Sequence, residues 1–192
     1  NPETIYGGTY QGNISKWERA SGEQKSIKEY PELGLSIAPK DSRYRYNWNA
    51  PIISSPHDRN TIYHAGNVVF KTTDGGKTWL LFNGNLPNQG STYTIAQDDV
   101  DKDLLFVGTQ FGVYFTVDGG KEWIQLKNGI PTECVMSLVL QRREHDLVVS
   151  TFGRGVYILD DYTPLRSISK EMMQEEAHIF PIKDALMYIP AQ

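Results

Sequence analysis

Carboxylates are the side chains in this sequence that could support hydrolysis of a glycosidic bond. That chemistry needs two carboxyl groups facing each other across a cleft, one protonated and one ionised. Two groups of acidic residues come into question: Asp98, Asp99, Asp101 and Asp103, and the pair Asp160 and Asp161. The first group falls in a predicted turn and the second follows an apolar run, where acidic residues usually cap and solvate turns. We therefore favour a structural role for both groups.

A second set of residues has the chemistry of a binding surface. Guanidinium groups bind carboxylates through two parallel hydrogen bonds, and exposed aromatic rings offer flat apolar faces. The candidate ligand-binding residues are Arg43, Tyr44, Arg45, Tyr46, Trp48 and Arg154. For the aromatic residues two interpretations stay open, contact with a sugar or peptide and cover for the top of the fold. For Arg154, which lies between two glycines, we favour an internal salt bridge over a position in a ligand channel.

The histidines and the cysteine do not form a recognisable site in the sequence. None of the spacings between His57, His64, His145 and His178 is typical of metal ligands, and no cysteine cluster accompanies them. The single cysteine, Cys134, has no obvious base beside it, which favours a buried thiol. We expect neither a metal site nor a cofactor.

The composition excludes several classes of function. The chain has 192 residues, with 19 Lys+Arg against 23 Asp+Glu, which is not the balance of a polybasic protein that binds nucleic acid. Its apolar runs are a few residues long, against the roughly 18 that a membrane helix needs, so we predict no transmembrane segment. With 39% hydrophobic residues, 17 Gly and 10 Pro, the sequence favours a globular fold of short elements.

The elements that position these residues come from an internal repeat. The pattern Thr-x-Asp-x-Gly-x-x-Trp occurs at 72–79 and again at 116–123, a spacing of 44 residues. Pro87 and Pro131 show the same spacing. A third copy around 143–161 has lost the pattern, and a fourth begins the chain. Repeats of about 40–50 residues with four short strands each are typical of β-propeller blades.

The repeat predicts an all-β fold, a propeller section of about four four-stranded antiparallel blades. We place the blades at about 1–33, 51–88, 92–131 and 133–162, with a loop insertion at 34–50. The propeller part ends near residue 163, and 164–192 form a tail. Within the tail the apolar spacing predicts an amphipathic helix over 165–177. The apolar segments 179–182 and 185–190 should dock on the propeller flank or on a partner.

We call the two repeated motifs the aspartate turns. In each of them the carboxylate can accept backbone hydrogen bonds, the glycine allows a positive φ, and the tryptophan can anchor the hairpin. The residues concerned are Thr72, Asp74, Gly76 and Trp79 in the first turn, and Thr116, Asp118, Gly120 and Trp123 in the second. Two intact copies one period apart indicate a structural motif.

The aspartate turns resemble Asp boxes, the signature of BNR-repeat propellers. Together with the segments 44–52 and 150–161, they make the chain similar to sortilin-like and glycosyl-hydrolase-like propellers of large exported bacterial proteins. The resemblance implies the C-terminal part of a propeller in an extracytoplasmic protein, either periplasmic, secreted or on the cell surface. It also implies that the Asp boxes are structural and lie away from any active site. The cysteine-rich module of sortilin receptors and the Arg-Ile-Pro signature of sialidases are both missing.

These observations favour a non-catalytic interaction or scaffold module over an enzyme. Such a module would bind a protein, peptide or glycan through loops at one end, and its partners would include the remaining blades of a larger ring. The alternative is part of a glycoside hydrolase, sialidase-like or xyloglucanase-like, whose active site is completed by blades outside this chain. A third possibility is a component of a membrane or pigment assembly that uses the tail as its interface.

Overall fold

The computed structural model describes residues 3–32, 37–38, 40–169, 171–182 and 184. Within these residues the secondary structure is almost entirely β. The strands are β1 (Thr4–Thr9), β2 (Asn13–Glu18), β3 (Gln24–Ser26), β4 (Ile52–Ser54), β5 (Ile62–Ala65), β6 (Val69–Thr72), β7 (Leu80–Leu81), β8 (Thr92–Gln97), β9 (Leu105–Thr109), β10 (Gly112–Thr116), β11 (Ile124–Leu126), β12 (Val135–Gln141), β13 (Asp146–Thr151) and β14 (Val156–Leu159). Short 3₁₀ turns lie at Tyr10–Gly12, Thr163–Ser167 and Met172–Gln174.

The strands form four antiparallel sheets in which neighbours in sequence are neighbours in space. Sheet A contains β1–β3, sheet B β4–β7, sheet C β8–β11 and sheet D β12–β14. Strand β8 contacts both β4 and β12, so the first strands of sheets B, C and D lie innermost. This is the arrangement of propeller blades, and the predicted all-β propeller fold is confirmed.

Sheets A and D have three strands among the described residues, not the four that the repeat predicts. In sheet A, β1 is the counterpart of β5, so the counterpart of the innermost strand is not among the described residues. In sheet D, the unit carries no aspartate turn after β14. Asp161, with φ of 52°, instead turns the chain towards the tail, and no outer strand follows in the part of the tail that the structure describes.

Two hydrophobic clusters fill the spaces between the sheets. One lies between sheets B and C and includes Tyr63, Val69, Leu105 and Val107. The other lies between sheets C and D and includes Phe106, Val113, Phe115, Leu147 and Val149. Alternate residues of β9 point into different clusters, because successive side chains of a strand point to opposite faces. A middle blade therefore has two apolar faces.

The two ends of the sheets differ in the loops that they carry. At one end, which we call the hairpin end, lie the turns 10–12, 66–68, 110–111 and 152–155, which join the second and third strands of the blades. The insertion reaches the same end, since the Asn67 amide donates a hydrogen bond to the Arg45 carbonyl at 2.8 Å. The opposite end, the turn end, carries both aspartate turns.

The tail differs from the sequence prediction. The amphipathic helix expected over 165–177 is wrong: this stretch contains the 3₁₀ turns Thr163–Ser167 and Met172–Gln174, separated by an extended Ile168. Tertiary contacts explain the difference, because Leu165 and Ile168 pack against the cluster between sheets C and D. A regular helix would not keep both contacts and the polar contacts of Tyr162 and Arg166 described below.

The apolar segments that follow behave in two ways. Ile179 and Ile182 are 93% and 92% exposed, so segment 179–182 does not dock on the propeller flank, and the alternative that it docks on a partner stays a prediction. Residues 175–179, which follow the second 3₁₀ turn, are all exposed. Segment 185–190 lies outside the described residues.

Candidate functional site

The first aspartate turn is a closed network of hydrogen bonds. Asp74 Oδ1 accepts from the Thr72 hydroxyl at 2.7 Å and from the backbone amides of Lys77 and Thr78 at 2.9 Å. The Gly76 amide donates to Thr72 Oγ1 at 3.0 Å. Trp79 Nε1 donates to the Ile27 carbonyl at 2.8 Å, which connects sheet B to the end of sheet A.

The second aspartate turn repeats this geometry. Thr116 donates to Asp118 at 2.8 Å, and the amides of Lys121 and Glu122 donate to the same carboxylate oxygen at 3.0 Å. Trp123 is buried, and its amide donates to Asn85 Oδ1 at 2.6 Å. Asp74 and Asp118 therefore both accept hydrogen bonds within their own turns, whereas the buried Trp123 Nε1 has no hydrogen-bond partner among the described residues.

The glycines of the aspartate turns are required for packing as well as for conformation. Gly76 and Gly120 have φ of 86° and 87°, which only glycine adopts easily. A Cβ at Gly120 would lie 2.4 Å from the ring of Phe82, and one at Gly76 would lie 2.7 Å from Ile27. Each turn therefore packs directly on an apolar side chain of the preceding blade.

Hydrogen bonding lowers the pKa of both carboxylates. For Asp74 the main cause is the hydroxyl of Thr78. For Asp118 burial alone would raise the pKa, but the bonds from the Glu122 amide, the Thr116 hydroxyl and the Lys121 amide outweigh it. An acid catalyst needs the opposite shift, because it must stay protonated near neutral pH.

Among the insertion candidates, Tyr46 faces inwards and holds the loop. Its ring stacks on His64 with the centroids 5.2 Å apart and the planes at 17°, and its hydroxyl donates to Glu29. His64 is fully buried and contacts the same carboxylate at 2.9 Å. A Cβ at Gly12 would lie 2.3 Å from the Tyr46 ring, so the loop passes close to sheet A. Burial, followed by the Glu29 charge, raises the pKa of Tyr46.

Tyr44 and Arg43 form a second layer above this anchor. The Tyr44 ring meets Phe70 edge-on at 4.8 Å, and the Arg43 guanidinium lies 4.9 Å from the ring centre of Tyr30. A cavity of about 300 Å³ opens beside them, and burial lowers the pKa of Lys28 in its wall. The cavity is lined by Gln11, Lys28, Tyr30, Glu32, Ile37, Ser42, Tyr44, Arg45 and Tyr46.

Among the described aromatic residues of the insertion, Trp48 faces outwards. Its side chain is 65% exposed and lies against Tyr10, which is 59% exposed, with ring centroids 4.3 Å apart. The two rings border an open groove of about 470 Å³ between the first hairpin turn and β4. An exposed aromatic pair beside a groove can stack on a flat ligand surface.

The hairpin turns of sheets C and D also expose aromatic rings. Phe111 is 39% and Phe152 is 71% exposed. Sequence reasoning missed these two residues and Tyr10, although a signal was present: an aromatic residue stands one or two positions before a glycine in three of the four hairpin turns. Arg154, two residues after Phe152, is 68% exposed and lies 3.5 Å from the Glu133 carboxylate. The ion pair that we favoured for Arg154 is formed, but at the surface.

The first acidic group contains a residue with a different environment from the one expected. Asp98 has the expected structural role, since its Oδ2 accepts the backbone amides of Val100 and Asp101 at 3.2 and 2.7 Å, but it is fully buried and not solvated. Its carboxylate accepts two hydrogen bonds from Arg166, at 2.8 and 2.9 Å, and one from the Tyr162 hydroxyl at 2.8 Å. Burial would raise the pKa of Asp98, but these bonds hold it below its usual value. We call Asp98, Tyr162 and Arg166 the tail clamp.

Two other acidic candidates, Asp161 and Asp99, also have partners within the fold. Asp161 accepts the amide and hydroxyl of Thr163 and so caps the first turn of the tail. Asp99 lies 3.4 Å from Arg142. Over the described residues, no group of three or more His, Cys, Asp or Glu side chains is arranged to hold a metal ion. The same residues contain no helix long and apolar enough to cross a bilayer.

Comparison with known proteins shows the fold. No protein-family model matches the chain, and no curated protein matches it. Among solved structures, the GH74 enzyme of Niastella koreensis aligns with a TM-score of 0.61 at 18% identity, over 83% of this chain and 27% of that one. The extracellular domain of BT4673 from B. thetaiotaomicron aligns with a TM-score of 0.58 at 16% identity, over 81% and 20%.

A third solved structure is YCF48 bound to the D1 peptide, with a TM-score of 0.56 at 16% identity over 83% of this chain and 48% of that one. At these identities the likeness shows the fold alone, and all three are of β-propeller type. The chain spans less than half the length of each of them.

Proposed function

We propose that this chain is a non-catalytic binding module of a larger exported protein, and that its ligand surface is the hairpin end. The observation that carries the proposal is the row of exposed aromatic rings at that end, Tyr10, Trp48, Phe111 and Phe152. The exposed Arg43 and Arg45 of the insertion add positive charge, whereas the charge of Arg154 at the same end is balanced by Glu133. A protein, a peptide or a glycan could be bound by such a surface.

Three further features support this assignment. The insertion is fixed from below by Tyr46, His64 and Glu29, so Trp48 is presented from an anchored loop and less ordering entropy is lost on binding. The groove beside Trp48 and Tyr10 is open to solvent. The carboxylates of both aspartate turns accept hydrogen bonds within the fold. Among similar folds, YCF48 has been solved with a bound peptide and GH74 enzymes are glycosidases, so both ligand classes are to be tested.

The experiment is a binding screen followed by substitution. The chain is applied to arrays of plant and bacterial glycans and of peptides, and the affinity of each hit is measured by calorimetry. We expect Trp48→Ala to weaken binding at least about tenfold, which corresponds to about 1.4 kcal/mol. Trp17→Ala is the matched control, because Trp17 is 37% exposed on β2 away from the hairpin end. Equal affinities for wild type and Trp48→Ala would contradict the proposal.

The rival function is part of a glycoside hydrolase completed by other blades. It rests on the GH74 likeness, while Asp98 and Asp161 are engaged in holding the tail. Release of reducing sugar from xyloglucan by the chain or its parent protein, abolished by Asp99→Asn, would favour the rival. Binding without hydrolysis would favour the binding module.

A further inference from the structure

The cavity beside the insertion has a half-buried lysine in its wall. Lys28 Nζ donates to the backbone carbonyl of Gln11 at 3.2 Å and to that of Glu32 at 2.8 Å. An ammonium group has three N–H donors, so these two bonds leave one of them for a ligand. Burial lowers the pKa of Lys28, while the charges of Glu29 and Glu32 act against this shift. An anion bound beside the ammonium would stabilise its charged form further.

Two arginines add positive charge around the cavity. Arg45 is exposed and lines it, and Arg43 lies over the rings of Tyr30 and Tyr44, which belong to its wall. Among the described residues, no carboxylate is at ion-pair distance from either guanidinium group or from the lysine. Cationic side chains that converge on a cavity without ion partners attract an anionic ligand.

The cavity wall also contains groups that pair with hydroxyls. Gln11, Glu32 and Ser42 line the same space as Lys28. The Glu32 carboxylate repels a ligand that carries only negative charge, but it accepts hydrogen bonds from hydroxyl groups. A volume of about 300 Å³ is at the lower end of the range for ligand sites, which favours one small unit. The lining therefore fits a unit with one carboxylate and several hydroxyls.

We propose that this cavity binds a uronate, the acidic sugar unit of a glycan, with its carboxylate at Lys28 and Arg45. The sugar hydroxyls face Glu32 and Ser42, and the ring of Tyr30 supplies part of the apolar surface for the C–H groups of the sugar. An acidic peptide would bring a carboxylate without these hydroxyls and would leave Glu32 opposed to it. The inference rests on the proposed function, because it names the ligand class of the hairpin end.

The probe is D-glucuronate, titrated into the chain at about pH 7, where its carboxyl group is ionised. Binding is followed by the NMR shifts of the backbone amides, and we expect saturable shifts at 10–12, 28–32 and 42–46. Glucose lacks the carboxylate, and N-acetylaspartyl amide has a carboxylate without the hydroxyls. Both should bind at least about tenfold more weakly than glucuronate. Equal affinity for glucose, or for the aspartyl amide, would overturn the assignment of a uronate.

Lys28→Met tests the cation, because methionine keeps an unbranched side chain without the charge. We expect glucuronate to bind at least about tenfold more weakly. The matched control is Lys71→Met: Lys71 lies 5.5 Å from the ring centre of Tyr63, as Lys28 lies 5.4 Å from that of Tyr46, but it does not line the cavity. This variant should bind as the wild type does. If Lys28→Met fails to fold, the exposed Arg45→Gln replaces it, with binding weakened at least about threefold.

The outcomes separate this inference from the proposed function. A wild type that does not bind glucuronate up to about 10 mM, or whose affinity is the same in Lys28→Met and Arg45→Gln, would contradict the inference. A neutral glycan or a peptide whose affinity falls in Trp48→Ala but not in Lys28→Met would also contradict it, and would leave the proposed function in place. Glucuronate binding that depends on Lys28, with no ligand affected by Trp48→Ala, would support the cavity and contradict the aromatic surface.

Discussion

The hairpin end and the turn end of this propeller section use similar residue types in opposite ways. At the turn end, carboxylates and indole rings face inwards: Asp118 accepts three hydrogen bonds, and Trp123 is 4% exposed. At the hairpin end, Trp48 and Phe152 are 65% and 71% exposed. The comparison indicates that one end carries the stability of the blades, while the other is left available for contact. Substitutions should therefore affect stability at one end and binding at the other.

The largest expected effect is on the tail clamp at the turn end. Asp98→Asn removes the charge that pairs with Arg166, whose side chain is only 19% exposed. Removing one partner of a buried ion pair costs about 3–5 kcal/mol, so the free energy of unfolding measured in urea should fall by this amount. The control is Arg142→Ala. Arg142 forms its ion pair at the surface and is 71% exposed, so the free energy of unfolding should fall by less than about 1 kcal/mol. A similar fall in the free energy of unfolding for both variants would show that the tail clamp stabilises the fold no more than a surface ion pair does.

The next effect concerns the glycine of the second aspartate turn. Gly120→Ala introduces a Cβ 2.4 Å from Phe82 at a φ of 87°, which combines a packing clash with backbone strain. We expect a loss of about 2–4 kcal/mol in thermal or urea unfolding. Gly22→Ala is the control, because Gly22 has φ of 69° but open space around it, so that only the backbone term of about 1–2 kcal/mol applies. If Gly22→Ala lowers the free energy of unfolding as much as Gly120→Ala does, the packing of the turn on the preceding blade does not contribute to stability.

A smaller effect should appear in the pH dependence of stability. Hydrogen bonds of the folded chain keep the pKa of Asp118 below the value of about 3.9 in the unfolded chain. The ionised carboxylate therefore stabilises the fold above about pH 4, and this contribution is lost as the pH falls through the folded-state pKa. Asp118→Asn should lower the free energy of unfolding at pH 7 by about 1–2 kcal/mol. In the variant this free energy should also depend less steeply on pH below about pH 4. Equal slopes for variant and wild type between pH 2 and 5 would contradict this.

The smallest effect on stability is expected at the hairpin end. Trp48→Ala and Phe152→Ala remove exposed side chains, so the free energy of unfolding should change by no more than about 0.5 kcal/mol. Tyr46→Ala, from the same loop as Trp48, should by contrast lose about 2 kcal/mol or more, because it removes the ring that stacks on His64. Calorimetric unfolding of the three variants distinguishes the exposed residues Trp48 and Phe152 from Tyr46, which anchors the loop. A large loss for Trp48→Ala would remove the contrast between the ends.

The internal repeat allowed the fold to be predicted from the sequence. Two aspartate turns at a fixed spacing define the blades, because each turn is stabilised locally by its own threonine, aspartate and glycine. The conformation of the tail could not be predicted in this way. Its apolar spacing is helical, but contacts with Asp98, about 70 residues earlier in the chain, impose another conformation.

The candidate surface was predicted in part. The composition of the insertion pointed to Arg43–Trp48, but could not separate Tyr46, which faces His64, from Trp48, which faces solvent. Phe111 and Phe152 were missed because the hairpin turns are short and vary in length, which hides their equivalence. The turn-capping role of Asp98 was predicted, but its burial was not, because the arginine that neutralises it comes from the tail.

Hydrogen–deuterium exchange with and without ligand tests the central claim most directly, since one measurement covers both ends of the molecule. With a ligand taken from the array screen, we predict slower exchange in the hairpin end, at 10–12, 44–49, 110–112 and 152–155. The aspartate turns, 72–79 and 116–123, should exchange at the same rate with and without ligand. Protection confined to the aspartate turns, with the hairpin end unchanged, would contradict the account.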